Sequence, residues 1–268
     1  MSYIPHTPAP VIVAHRGASA IAPENTMAAF RAADAAGADL YELDVHLTKD
    51  GEIVVLHDSS LARTTNVEEL YPDRKPWRVS DFTLAEIGSL DAGRWFNEKY
   101  TGEPVPTLFD VMTAMKNGPG LALEVKRSSA SPDMASRLSA LLPSAPRGTI
   151  VQSFDSAFIK LLHVPTDTGV LGPTPAKALP SLARYADYAS VPRRVVSASY
   201  VKQAHGAGLK VITYNVENIR QLLRALDAGV DGVMTKRPKV LRRYMDIVLN
   251  RDLQLEYALS LMSARTAR

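Results

Sequence analysis

No cysteine occurs in the 268 residues. That excludes disulfides, thiolate nucleophiles, and zinc or iron–sulfur centres with Cys ligands. No window approaches the roughly 18 uninterrupted apolar residues of a membrane-spanning helix, so no transmembrane segment is expected. The first residues, MSYIPHTPAPVIVAHRG, lack a basic stretch followed by an apolar run of about 7–15 residues. A secretory signal is therefore not expected, and the cytoplasm is the expected compartment. Neither G-x-G-x-x-G nor G-x-x-x-x-G-K-[ST] occurs, which argues against a nucleotide-binding glycine loop. Excess charge of one sign is also scarce: 31 Lys+Arg face 28 Asp+Glu, a net +3. The basic residues are scattered, apart from RPKVLRRY (237–244) and the Arg-ending tail, so no nucleic-acid partner is expected.

What is present is a rhythm of short apolar runs and helical stretches. VIVAH (11–15), LYELDVHL (40–47), IVVLH (53–57), GLALEVK (120–126), TIVQSF (149–154), TGVLG (168–172), DYASV (187–191), LKVITYN (209–215) and DGVMT (231–235) read as strands. Several are continuously apolar, as strands covered on both faces are. PENTMAAFRAADAAG has a polar start, an Ala-rich body and a stop at Gly37, and VENIRQLLRALDAG repeats the design up to Gly229. Repeated strand–helix units predict a parallel α/β fold. At 46% apolar composition, nine strands in this length fit a (β/α)8 TIM barrel with one extra strand, as a single domain over 1–268. A doubly wound open sheet is the alternative.

Two stretches break the rhythm. Residues 58–107 hold both tryptophans and four prolines. They read as an insertion after the third strand, with one short helix near 83–89, and an excursion of that length is usually functional. Residues 239–265 read as a C-terminal helix, because Leu241, Met245, Val248, Leu249 and Leu253 recur at helical spacing. That stripe serves either as a seal on the body or as a homo-oligomer contact.

Polar residues gather at the strand ends, where a β/α barrel carries its site. Glu42 and Asp44 are two apart, so they share one strand face while Tyr41, Leu43 and Val45 share the other. Adjacent carboxylates in an apolar strand repel and are costly to bury. Glu124, in LALEVK, is a third of the same kind. Three carboxylates suit one hard divalent cation, Mg²⁺ or Ca²⁺; a network with Arg or Lys is the alternative. Asp50-Gly51 marks a hairpin. A two-residue turn pairs Lys49 with Glu52, sets His57 opposite Asp44 on the same face, and makes the third strand antiparallel.

His15 and His57 could supply a general acid and a general base. Arg16 offers a fork of donors for phosphate oxygens, and Gly17 lets the backbone turn towards a ligand. Asn25 or Thr26 starts the following helix, whose N-terminus favours anions. Lys126, two residues after Glu124, adds a second cation on its face. Two histidines, two cations and a carboxylate-held metal together favour phosphoryl chemistry.

At this point the sequence resembles the glycerophosphodiester phosphodiesterase family. The resemblance rests on AHRGASAIAPENTMAAFRAADAAGADLYELDVHLTKDGEIVVLHDSSLARTTN, VPTLFDVM, LALEVK, VQSF and GLKVITYNVEN…LDAGVDGVMTKRP, in the family's order over residues 11 to 238. It implies a β/α barrel that hydrolyses glycerophosphodiesters to sn-glycerol 3-phosphate and an alcohol, usually with a divalent metal. It implies His15 and His57 as the acid/base pair, Glu42, Asp44 and Glu124 as metal ligands, and Arg16 and Lys126 as phosphate holders. Two departures stand out. Tyr214-Asn215-Val216-Glu217 replaces the family's W-T-V-N, so Tyr214 takes the place of the aromatic wall against the glycerol. Thr235-Lys236-Arg237-Pro238 puts a cation where an acid is usual. Gln152, Ser153 and Phe154 are further pocket candidates. Other readings are a lysophospholipase D or phospholipase-C-like enzyme, with Trp77, Trp95 and Phe96 giving access to an acyl chain, and a barrel that binds phosphodiesters without cutting them.

Overall fold

The computed structural model describes residues 9–248. Nine strands form: β1 (Val11–Ala14), β2 (Leu40–Leu47), β3 (Ile53–Val55), β4 (Gly120–Val125), β5 (Ile150–Ser153), β6 (Asp167–Leu171), β7 (Tyr188–Pro192), β8 (Lys210–Tyr214) and β9 (Gly232–Thr235). Each coincides with one expected from the sequence. Eight are parallel neighbours in the order β1-β9-β8-β7-β6-β5-β4-β2. Pairing of Val13 with Leu40 returns β2 to β1 and closes the barrel. The third strand is the extra one. It runs antiparallel on the upper part of β2, beyond the reach of β1.

The helices are α1 (Met27–Ala35), α2 (Val67–Leu70), α3 (Leu84–Ile87), α4 (Leu108–Ala114), α5 (Pro132–Leu141), α6 (Ser156–Leu161), α7 (Leu179–Leu182), α8 (Ala198–Gly206), α9 (Ile219–Ala228) and α10 (238–248). No described helix is long and apolar enough to cross a membrane. Alternation along the strands sorts the side chains into two cores. Tyr41, Leu43 and Val45 point out, into the main core beneath the helices. Val13, Leu40, Ala122, Ile150, Ile212 and Met234 fill the lower barrel. That apolar plug leaves only the upper strand ends open to polar side chains.

The insertion builds a third core of its own, including Leu61, Val67, Trp77, Phe82, Ile87 and Val105. The expected helix near 83–89 is α3, capped by a Thr83–Glu86 capping box, and α2 is a second that the sequence did not announce. Trp77 is buried inside this core, which removes it from any access route for an acyl chain, whereas Trp95 is exposed. At the other end, Leu241 and Met245 of α10 are fully buried in the main core. The described turns of the stripe therefore seal the barrel; Leu249 and Leu253 lie outside the described residues.

One expectation fails. The hairpin loop has three residues, not two. Val45 faces Val55 and Leu47 faces Ile53, so the register is offset by one and Asp44 faces Leu56 rather than His57. Gly51, at φ +81°, takes the left-handed third position of the longer loop. Thr48 fixes that loop by donating to Asp50 Oδ1 at 2.6 Å and accepting from Glu52 N–H at 2.9 Å. His57 thus lies past the end of β3 and owes its position to the loop that follows.

Candidate active site

Glu42, Asp44 and Glu124 are buried at the upper end of the barrel. Pairing of β2 with β4 puts Asp44 directly beside Glu124. Each of the three offers an oxygen, and these oxygens lie within 4.8 Å of one another. Two cations enter the cluster. Lys126 Nζ is 2.6 Å from Asp44 Oδ1 and 2.5 Å from Glu124 Oε1. Arg16 Nε is 3.2 Å from Asp44 Oδ2. The alternative carboxylate–cation network is therefore present, but it is incomplete: three carboxylates meet two cations. Glu42 carries the shortfall. Its Oε2 accepts the Arg16 backbone N–H at 2.8 Å, and its Oε1 is buried with no partner.

The charges follow from that geometry. Burial, then the neighbouring Asp44 and Glu124, push the Glu42 carboxyl well above the ordinary range. Burial and Asp44 likewise raise Glu124. Burial alone would raise Asp44 too, but Lys126 and Arg16 outweigh it and hold this carboxyl ionised. An orphaned buried oxygen inside a group of hard oxygen donors is what a divalent cation site requires. Glu42, Asp44 and Glu124 could therefore hold a divalent metal ion.

His15 follows β1 on the same rim, its Nε2 3.9 Å from Glu42 Oε2 and its Nδ1 buried without a partner. Burial and the Arg16 charge push its pKa down to about 3. Arg16 and Gly17 turn the chain with φ of +55° and +75°. A Cβ on Gly17 would meet the Ala29 backbone at 2.6 Å, so only glycine fits. Thr26, not Asn25, caps α1. Asn25 instead donates from Nδ2 to Asp44 Oδ2 at 2.8 Å.

His57 is half-exposed, with Nδ1 2.5 Å from Asp58 Oδ1. Hydrogen bonds from Arg63, and then from His57, hold the Asp58 carboxyl down at about 2 against partial burial. Arg63 also donates to Glu24, which accepts from Arg16. One chain of contacts, Arg16–Glu24–Arg63–Asp58–His57, thus links the two histidine-bearing loops. Tyr214 ends β8; burial raises its hydroxyl pKa, the nearby Arg194 charge opposes that rise, and the charge of Glu124 adds to it. The structure so brings His15, Arg16, Glu42, Asp44, Glu124 and Lys126 together at one mouth, with His57 and Tyr214 on its rim.

Sequence reasoning missed three contributors. His46 is buried, bonded to Ser129 Oγ at 3.0 Å and to the His57 carbonyl at 3.2 Å, so it anchors the His57 loop from below. The period-two signal was there, since Glu42, Asp44 and His46 are one face. Glu24 and Arg63 carried no such signal, because only the fold joins them. Of the lesser candidates, Gln152 is buried and accepts from Ser190 Oγ at 2.8 Å, leaving its Nε2 unpartnered. Ser153 faces away, donating to the Val125 carbonyl. Glu217 accepts from Thr235 Oγ1 and from the Lys236 N–H, so it ties down the departing segment.

Residues 15–240 match the sequence profile of the glycerophosphoryl diester phosphodiesterase family. The chain belongs to that family. Family membership makes it a phosphoric diester hydrolase. Among its relatives, a glycerophosphodiester phosphodiesterase of Bacillus subtilis is 34% identical over 256 residues, spanning 86% of this chain and 85% of its own. One of Bacillus altitudinis is 31% identical over 250 residues, covering 85% and 94%. Among solved structures, an Oleispira antarctica phosphodiesterase in complex with the product sn-glycerol-3-phosphate superposes with a TM-score of 0.79 at 27% identity, covering 88% of this chain and 97% of that one. A glycerophosphodiester phosphodiesterase from Agrobacterium tumefaciens gives 0.73 at 27% identity, covering 87% and 98%.

Proposed function

We propose that this family member hydrolyses glycerophosphodiesters to sn-glycerol 3-phosphate and an alcohol, with one divalent metal and with His15 and His57 as the acid/base pair. The observation that carries the reading is the buried cluster of Glu42, Asp44 and Glu124, three carboxyl groups facing two cations, between the two histidine-bearing loops. The product complex of the Oleispira relative supports the same substrate class. When bound, Mg²⁺ or Ca²⁺ would supply Lewis-acid stabilisation of the phosphoryl oxygens. Glu42, Asp44 and Glu124 hold it, while Arg16 and Lys126 hold the remaining phosphate charge.

The histidines differ in what they can do. Burial and the Arg16 charge hold His15 neutral, so its free ring nitrogen is available to take the proton of the attacking hydroxyl as the new P–O bond forms. His57 sits with Nδ1 on an ionised Asp58, which fixes the ring's orientation. It gives its proton to the departing alkoxide as the old P–O bond breaks. Tyr214 forms a wall for the glycerol. The attacking hydroxyl is that of water or the glycerol 2-hydroxyl; in the second route water then opens the cyclic phosphate, and the net reaction consumes one water either way.

Kinetics of His15→Ala and His57→Ala on glycerophosphocholine and lysophosphatidylcholine test the reading. Each variant should lose on the order of 10²–10⁴ in kcat while keeping the wild-type unfolding transition. Full activity in either would reject its assignment. Faster turnover of lysophosphatidylcholine by the wild type would replace the soluble substrate with the lipid.

A further inference from the structure

Next to the mouth, a cavity of about 420 Å³ opens between the segment following β7 and helix α9, and none of the mouth's own side chains lines it. Arg193, Arg194 and Arg224 line it, with Gln221. Among the described residues no carboxylate comes within 4.0 Å of any of these three guanidinium groups, whereas Arg16, Arg63, Arg74, Arg94 and Arg242 each have a close acidic partner. All three side chains are exposed, and three like charges around one cavity favour an anion there. The donors are also oriented. Arg193 donates to the Asn215 carbonyl at 3.2 Å, which braces it against the loop before α9. Gln221 Oε1 accepts the Glu217 N–H at 2.8 Å, so the amide is fixed and both N–H bonds of Nε2 remain available. Gln221 and Arg224, three apart, lie on one face of α9. The volume suits a small ligand.

We propose that this cavity is a second anion site, separate from the catalytic mouth, that takes a phosphate or pyrophosphate group. Forked guanidinium donors match phosphoryl oxygens, and three of them favour a multiply charged group over a simple carboxylate. The same chemistry could come from a free phosphorylated metabolite or from an anionic lipid headgroup.

Calorimetric titration of the metal-free full chain with pyrophosphate tests the site. The wild type should bind, and Arg224→Ala, a surface change on α9, should weaken binding about tenfold or more. Turnover of glycerophosphocholine by Arg224→Ala should match the wild type. No binding at millimolar pyrophosphate, or equal binding by both proteins, would overturn the proposal, the latter placing the anion at the mouth. Cosedimentation with phosphatidylglycerol vesicles then separates the sources. Retention lost in Arg224→Ala assigns a lipid headgroup; no retention of either protein assigns a free anion.

Discussion

Glu42 concentrates the cost of the site in one residue. It is the buried carboxylate that no cation reaches, and its folded-state pKa lies above its unfolded value. Its contribution to stability is therefore complete at pH values below about 4.3, the unfolded value, and is lost as pH rises through the folded value. Metal-free Glu42→Gln should thus be more stable than metal-free wild type by roughly 1–3 kcal/mol at pH 8, with the gap narrowing towards pH 5. Denaturant unfolding at the two pH values checks the sign. The same variant should lose the stabilisation that Mg²⁺ or Ca²⁺ gives the wild type. Its place beside Asp44 was legible beforehand, because two carboxylates at period two share one face of an apolar strand, where a metal or a cation network must offset them. Asn25, Glu24 and Arg63 were not legible, since their roles rest on contacts between loops that carry no local pattern.

At the scale of elements, the two histidine-bearing loops are built by tight turns and fixed contacts. The β1–α1 loop needs Gly17, where both φ and the closeness of Ala29 exclude a Cβ. Gly17→Ala should destabilise by about 3 kcal/mol or more and displace His15 and Arg16, so unfolding and kcat should fall together. The loop after β3 shows the limit of sequence reasoning. All nine strands and the antiparallel sense of β3 were readable from apolar runs and from Asp50-Gly51. The register was not, because the same dipeptide serves two-residue and three-residue turns, and Thr48 decides between them through its side chain. His57 still reaches the site, since Asp58 and the His46 contact to its carbonyl position it without strand pairing. Asp58→Asn, which keeps the shape but removes the charge, should lower kcat roughly tenfold or more with little change in stability.

Across the whole molecule, the barrel is closed by β1–β2 pairing and sealed by α10, while the insertion has a separate core. Leu241→Ala should cost about 2–5 kcal/mol in denaturant unfolding, because its side chain is fully buried in the main core. The proposed metal ligands come from β2 and β4, adjacent strands of that closed sheet. Binding there should raise the unfolding temperature of the whole barrel, not of a loop alone. The central claim is that this buried carboxylate cluster holds the metal that hydrolysis needs. Its most direct test is release of glycerol 3-phosphate from glycerophosphocholine by chelator-stripped wild type and Glu42→Gln, each before and after addition of Mg²⁺ or Ca²⁺. The account predicts no release from either stripped protein and restoration by metal in the wild type alone. Undiminished release from the stripped wild type, or equal restoration in Glu42→Gln, would contradict it.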